Sequence, residues 1–174
     1  MDPISQGVLG ATYSQASSKD KRFLLYATIL GALGGMAPDL DVFIRSKTDP
    51  LFFLEYPRHF PHSFFFIPFG GLICALIFHV FIRKKLSFRL NYKFSTIGYA
   101  THGLLDACTT YGTQLLWPFT NYRFSWNTIS IIDPLYTFPL LILIWLAVFR
   151  KKLKLAYLAV FFSVFYMLIG AAQS

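Results

Sequence analysis

The sequence predicts an all-α protein, a polytopic membrane bundle of about six helices, and three observations carry that expectation. Of 174 residues, 55% are hydrophobic, 19% aromatic and only 14% charged. A soluble domain of this size needs about a quarter of its residues charged to cover its surface, so lipid is the better solvent for this surface. Several apolar stretches approach the roughly 20 residues that a helix needs to cross a hydrocarbon core. Lys and Arg fall in short clusters beside those stretches, as the positive-inside rule requires. The length accommodates one membrane-embedded domain, residues 1–174, and no second globular unit.

The elements follow in order. Residues 3–17 and 22–36 form two short apolar segments joined by a polar link of Lys19, Asp20, Lys21 and Arg22. At 1.5 Å per residue each covers only about 22 Å. Gly7, Gly10, Ala11, Gly31, Ala32, Gly34 and Gly35 let backbones approach closely, so the pair reads as a helical hairpin packed against the rest. Longer apolar runs follow at 63–82, 94–111, 133–149 and 153–172. Met1-Asp2-Pro3 has no basic region and no cleavage site follows it, so the first segment is read as part of the mature protein. Cys74 and Cys108 have no metal-binding spacing and read as small packed apolar residues.

Charge then sets the expected orientation. With the 19–22 link cytoplasmic and the helices alternating, Lys19, Lys21, Arg22, Arg83, Lys84, Lys85, Arg89, Lys93, Arg150, Lys151, Lys152 and Lys154 lie inside. These are twelve of the sixteen basic residues. Both termini then lie outside. The net charge of +8 is explained by this topology and by contact with lipid headgroups, which argues against nucleic acid as a partner. The acids divide the other way. Only Asp20 lies inside, whereas Asp2, Asp39, Asp41, Asp49, Glu55, Asp106 and Asp133 fall at or near the outer side. Acids contribute little to topology, so their one-sidedness needs a separate cause.

Four segments supply it. Pro38-Asp39-Leu40-Asp41 follows the glycine-rich end of the second segment, where carboxylates meet the unfavourable pole of a helix dipole. Arg58-His59-Phe60-Pro61-His62-Ser63 brings two imidazoles, common metal ligands, to the start of the third helix. Arg58 is a candidate phosphate clamp. His102 and Asp106, spaced i,i+4, share one face of an otherwise apolar helix, and a carboxylate there needs a polar partner or cavity. Asp133-Pro134 reads as an N-cap with proline in the first turn, with metal ligation as a second role for Asp133. His79 lies at the opposite, basic end and reads as packed or interfacial.

A mixed histidine and carboxylate set suits Zn²⁺, with Mn²⁺ or Fe²⁺ as alternatives, better than Ca²⁺ or Cu⁺. Such an ion lowers the pKa of bound water. No glycine-rich phosphate loop, GxSxG elbow or HExxH motif is present, so metal-dependent hydrolysis is the expected chemistry. The candidate ligands are Asp39, Asp41, His59, His62, His102, Asp106 and Asp133, with Asp41 also as base and Arg58 as the group that stabilises developing negative charge. The recessed position suits an amphiphilic phosphoester. The alternative is a non-catalytic metal-binding or transport protein; transport would need polar groups through both leaflets, and the inner halves of the helices are almost purely apolar.

The opening Met1-Asp2-Pro3-Ile4-Ser5-Gln6, the Pro38–Asp41 and Arg58–Ser63 motifs, Thr101-His102-Gly103-Leu104-Leu105-Asp106, Thr110-Tyr111-Gly112-Thr113 and Ile132-Asp133-Pro134-Leu135 occur in this order. In this the chain resembles the YdjM-like proteins, described as LexA-binding, inner-membrane-associated proteins with an inferred metal-dependent hydrolase activity. The resemblance implies a multi-pass protein of the bacterial inner membrane with the site on the extracytoplasmic side; a LexA association is implied by the family description alone. The family has a histidine where this chain has Gln6 and tends to have threonine at Pro61.

Overall fold

A computed structural model describes residues 1–43 and 60–173, and every regular element among them is helical. The described residues form six α-helices: α1 (Pro3–Ala16), α2 (Leu24–Met36), α3 (Ile67–Ile82), α4 (Phe88–Ala107), α5 (Pro134–Phe149) and α6 (Leu153–Gln173). Short 3-10 turns precede α2 at Lys21–Phe23, extend it at Ala37–Phe43, and precede α3 at Phe60–His62 and Phe64–Phe66. Three segments, Lys21–Asp41, Phe64–Ile82 and Leu153–Gln173, are long and apolar enough to cross a membrane, and Pro134–Phe149 is apolar but shorter.

The N-terminal hairpin is central. Asp2 caps α1 through the Ser5 amide at 3.0 Å, with Pro3 in the first turn. Ten of the fourteen α1 residues are buried, on every side of the helix, because α2, α4, α5 and α6 all pack against it. The bundle is thus inverted relative to a water-soluble one. Ser5, Gln6, Thr12, Ser14 and Gln15 are buried in its interior. Ile73, Ile77 and Phe81 on α3, Leu135, Ile142 and Trp145 on α5, and Phe161, Phe165 and Leu168 on α6 face outward, which fits a lipid-facing exterior.

With lipid outside, helices hold together by close packing and buried polar contacts. Gly31 is a three-helix junction: a Cβ on Gly10 or on Gly98 would overlap its carbonyl, so α1, α2 and α4 touch backbone to backbone there. Polar side chains tie the remaining seams. Asn91 Nδ2 donates to the Ala75 carbonyl at 2.8 Å, Ser14 Oγ to Phe94 at 2.9 Å and Gln15 Nε2 to Ile144 at 3.0 Å. Each such bond in a membrane interior contributes about 0.6–2 kcal/mol.

The fourth helix begins at Phe88, earlier than the apolar run at 94 indicates. Arg89, Asn91 and Lys93 interrupt the apolar run there, yet Asn91 is buried as a helix-to-helix bond. It also ends at Ala107, before 111. The following loop takes over its last carbonyls, with Trp126 N donating to Ala107 at 2.7 Å and Thr128 N to Cys108 at 2.8 Å.

Candidate metal centre

Each candidate ligand is held by the packing just described. After α2 the chain tightens into the 3-10 turn that carries Asp39 and Asp41. His62 ends another such turn and is fixed from three directions. Tyr99 Oη donates to the Pro61 carbonyl at 2.9 Å, Phe64 N donates to Leu115 O at 2.9 Å, and Gly103 lies so close that any Cβ would overlap the His62 carbonyl. His102 and Asp106 project from one face of α4 and are fully buried.

These segments converge. One ligand atom each from Asp39, His62, His102 and Asp106 can be chosen so that all four lie within 4.8 Å of one another. His102 Nε2 is 3.3 Å from Asp39 Oδ1 and 3.6 Å from Asp106 Oδ2; His62 Nε2 is 3.8 Å from Asp39 Oδ1 and 3.5 Å from Asp106 Oδ2. These separations are long for hydrogen bonds. They match a coordination polyhedron instead, since ligands about 2.0–2.1 Å from a tetrahedral ion stand about 3.4 Å apart.

The imidazoles are oriented for this. His102 Nδ1 lies 2.5 Å from the Gly35 carbonyl, a contact that requires Nδ1–H and leaves the Nε2 lone pair directed at the cluster. His62 is bracketed, with Asp41 Oδ2 3.5 Å from Nδ1 and Asp39 on the Nε2 side. Neither His62 nitrogen nor His102 Nε2 has a hydrogen-bond partner among the described residues. Leaving buried polar atoms unsatisfied is costly, and a divalent cation would satisfy the two Nε2 atoms together with both carboxylates. Burial is the largest influence on His62 and, with His102 nearby, pushes its pKa below the ordinary imidazole value, despite the opposing carboxylates. The neutral, ligating form is therefore favoured.

Asp106 is held from behind. Gln6 Nε2 donates to its Oδ1 at 2.9 Å and weakly to His102 O at 3.4 Å, and the Met1 amine also contacts Oδ1. Gln6 thus stands behind the carboxylate and leaves Oδ2 toward the histidines. The tendency to threonine at position 61 bears on little here, since Tyr99 uses the backbone carbonyl of that residue.

The other candidates lie elsewhere. Asp133 caps α5 through the Tyr136 amide at 3.1 Å and accepts from Tyr166 Oη at 2.9 Å, outside the cluster of four. Asp41 is not one of the four and stands 3.5 Å from His62 Nδ1. Arg58 and His59 lie outside the described residues. Gln6, Gly35, Tyr99 and Gly103 are supporting residues that spacing along the chain did not single out. His79 sits at the opposite end of α3, edge-on to Phe88 with ring centroids 5.2 Å apart.

The whole chain, residues 1–174, matches the family described as YdjM inner membrane protein. The chain belongs to that family. It is also similar to the uncharacterized protein YfhP of Bacillus subtilis (strain 168), at 25% identity over 112 residues. That alignment covers 64% of this chain but 34% of YfhP, so this YdjM-family chain spans well under two thirds of that relative's length. No solved structure matches it.

Proposed function

We propose that this protein is a multi-pass inner-membrane metal-dependent hydrolase acting on a phosphoester of a lipid-like substrate, with its metal centre on the extracytoplasmic side. The observation that carries the reading is the convergence of two oriented imidazoles and two carboxylates at coordination-edge distances inside an apolar bundle. A divalent ion held there would supply Lewis acidity and a lowered pKa for bound water. The protein's own groups divide the remaining work. Gly35 and Asp41 keep the imidazoles aimed, and Gln6 fixes the Asp106 carboxylate. Asp39 is the one member of the four with appreciable exposure, at 33% of its side chain, so the centre is approached from its side. Leu40, Phe64 and Phe65, all exposed next to ligand-bearing residues, give the tail of an amphiphile an apolar surface to rest on.

The test is direct. Protein loaded with Zn²⁺ or Mn²⁺ in detergent should hydrolyse a phosphomonoester of a long-chain alcohol, and both a chelator and His102→Ala should abolish turnover. Turnover indifferent to both would sink the proposal. A second reading, non-catalytic metal binding, is favoured by the ligand count: four protein ligands close a tetrahedral zinc site, whereas catalytic zinc usually keeps one position open. X-ray absorption of the loaded protein separates them. A four-coordinate shell with no water supports the non-catalytic reading, and a five- or six-coordinate shell supports hydrolysis.

A further inference from the structure

A seam along one face of α4 contains two cavities. At the end near the α1–α2 link, a cavity of about 430 Å³ is lined by Lys19, Asp20, Phe23, Arg89, Lys93 and Phe94, among others. Its acid is already neutralised: Asp20 accepts from Arg22 Nε at 2.7 Å and from the Arg22 amide at 2.8 Å. Lys19, Arg89 and Lys93 have no carboxylate within ion-pair distance among the described residues. Three cations thus line one hollow whose single acid, Asp20, is paired with Arg22. Lys93 Nζ also donates to the Ser17 carbonyl and lies 5.8 Å from the Phe94 ring centroid, which holds it at the wall.

The second cavity continues the same face of α4. Leu90, Lys93 and Phe94 line the basic hollow, and Ile97, Ala100 and Leu104, at successive helical spacings, line an almost wholly apolar groove of about 360 Å³. Opposite α4, Ser18 in the link after α1 lines the basic hollow, and Tyr13 and Leu9 of α1 line the groove. From Lys93 to Leu104 the seam runs about 17 Å along the helix, a little over half of the roughly 30 Å hydrocarbon thickness. A basic hollow and an apolar groove in succession on one helix face, about one leaflet long, have the two-part chemistry of a phospholipid.

We propose that this seam is a binding site for one anionic phospholipid, its phosphate held by Lys19, Arg89 and Lys93 and an acyl chain lying along Ile97, Ala100 and Leu104. Charge selects the headgroup. A zwitterionic lipid would bring its own cation against three others, whereas an anionic one leaves its charge for the basic residues, which are separately favourable near such lipids. The basic hollow is separate from the metal centre, since Arg89 precedes His102 by about 20 Å along α4.

Native mass spectrometry of the full chain in detergent, with added phosphatidylglycerol, phosphatidylcholine or inorganic phosphate, tests the assignment. One phosphatidylglycerol should be retained in preference to phosphatidylcholine, and millimolar phosphate should not displace it. Lys19→Gln with Arg89→Gln should weaken retention roughly tenfold or more. Ala100→Phe, which fills the groove, should weaken retention of the lipid without changing the headgroup preference of what remains. Lys19→Gln alone, at an exposed link position, should give a smaller loss in the same direction should the double variant fail to fold. Equal retention of the two lipids, unchanged retention in the charge variants, or full displacement by phosphate would overturn the proposal.

Discussion

His62 and His102 are alike in burial and in their approach to Asp39 and Asp106, yet each ring is aimed by a different group. Gly35 O holds His102 through a backbone carbonyl, and Asp41 faces the Nδ1 of His62. The two kinds of support predict different mutational outcomes. His62→Ala or His102→Ala should abolish stoichiometric metal binding, read by elemental analysis of gently purified protein. Asp41→Asn should keep the metal but weaken its affinity about 10–100-fold, as expected for loss of a group behind a ligand; unchanged affinity would mean that Asp41 does not orient the ring. His79→Ala should leave metal content unchanged. The pH dependence has a definite sign. His62 in the fold has a pKa below the ordinary imidazole value, so the unfolded chain binds more protons as the pH falls through about 6.5. Its contribution to stability is complete above that value and is lost on acidification toward the folded pKa. Between pH 7.5 and pH 5, metal-free protein should therefore lose more thermal stability than His62→Gln does, read as the shift in unfolding temperature.

Among the elements, the glycines at helix contacts determine whether the centre assembles. Gly103 presses against the His62 carbonyl, and Gly31 joins α1, α2 and α4. Gly103→Ala should push the His62 turn outward and lower metal affinity while the helices stay formed. Gly31→Ala should loosen the whole bundle, at about 1–3 kcal/mol for overpacking, read as an earlier thermal transition by circular dichroism. Legibility in the sequence divides along the same line. Helix number, the short hairpin and the His102–Asp106 face are local patterns, and hydropathy or an i,i+4 spacing reveals them. The first turns of α4 escaped because Asn91 is a polar residue spent on a helix-to-helix bond, which composition alone cannot distinguish from a loop. The centrality of α1 was equally hidden. Its hydroxyl and amide side chains resemble a surface, and only the packing of four helices around it makes them interior. Gln6 reaches Asp106 across 100 positions, a separation at which no sequence spacing carries a signal.

At the scale of the whole molecule, two poles differ in chemistry. Asp39, His62, His102 and Asp106 gather near one end of the bundle, and Lys19, Arg89 and Lys93 surround a hollow at the other. The polarity makes a topological prediction that does not depend on catalysis. The basic pole should remain in the cytoplasm and the metal pole should face out. Cys74 and Cys108 are both buried, so they provide a quiet background for single cysteines placed at exposed sites. Asn121→Cys, in the loop between α4 and α5 on the metal side, should react with a membrane-impermeant maleimide in intact spheroplasts. Lys84→Cys, between α3 and α4, should react only after the membrane is opened. The reverse pattern would put the metal centre on the cytoplasmic side and remove extracytoplasmic substrates from consideration, while leaving the ligand geometry and the lipid seam intact. Reaction of both in sealed cells would break the alternation of helices from which the orientation follows.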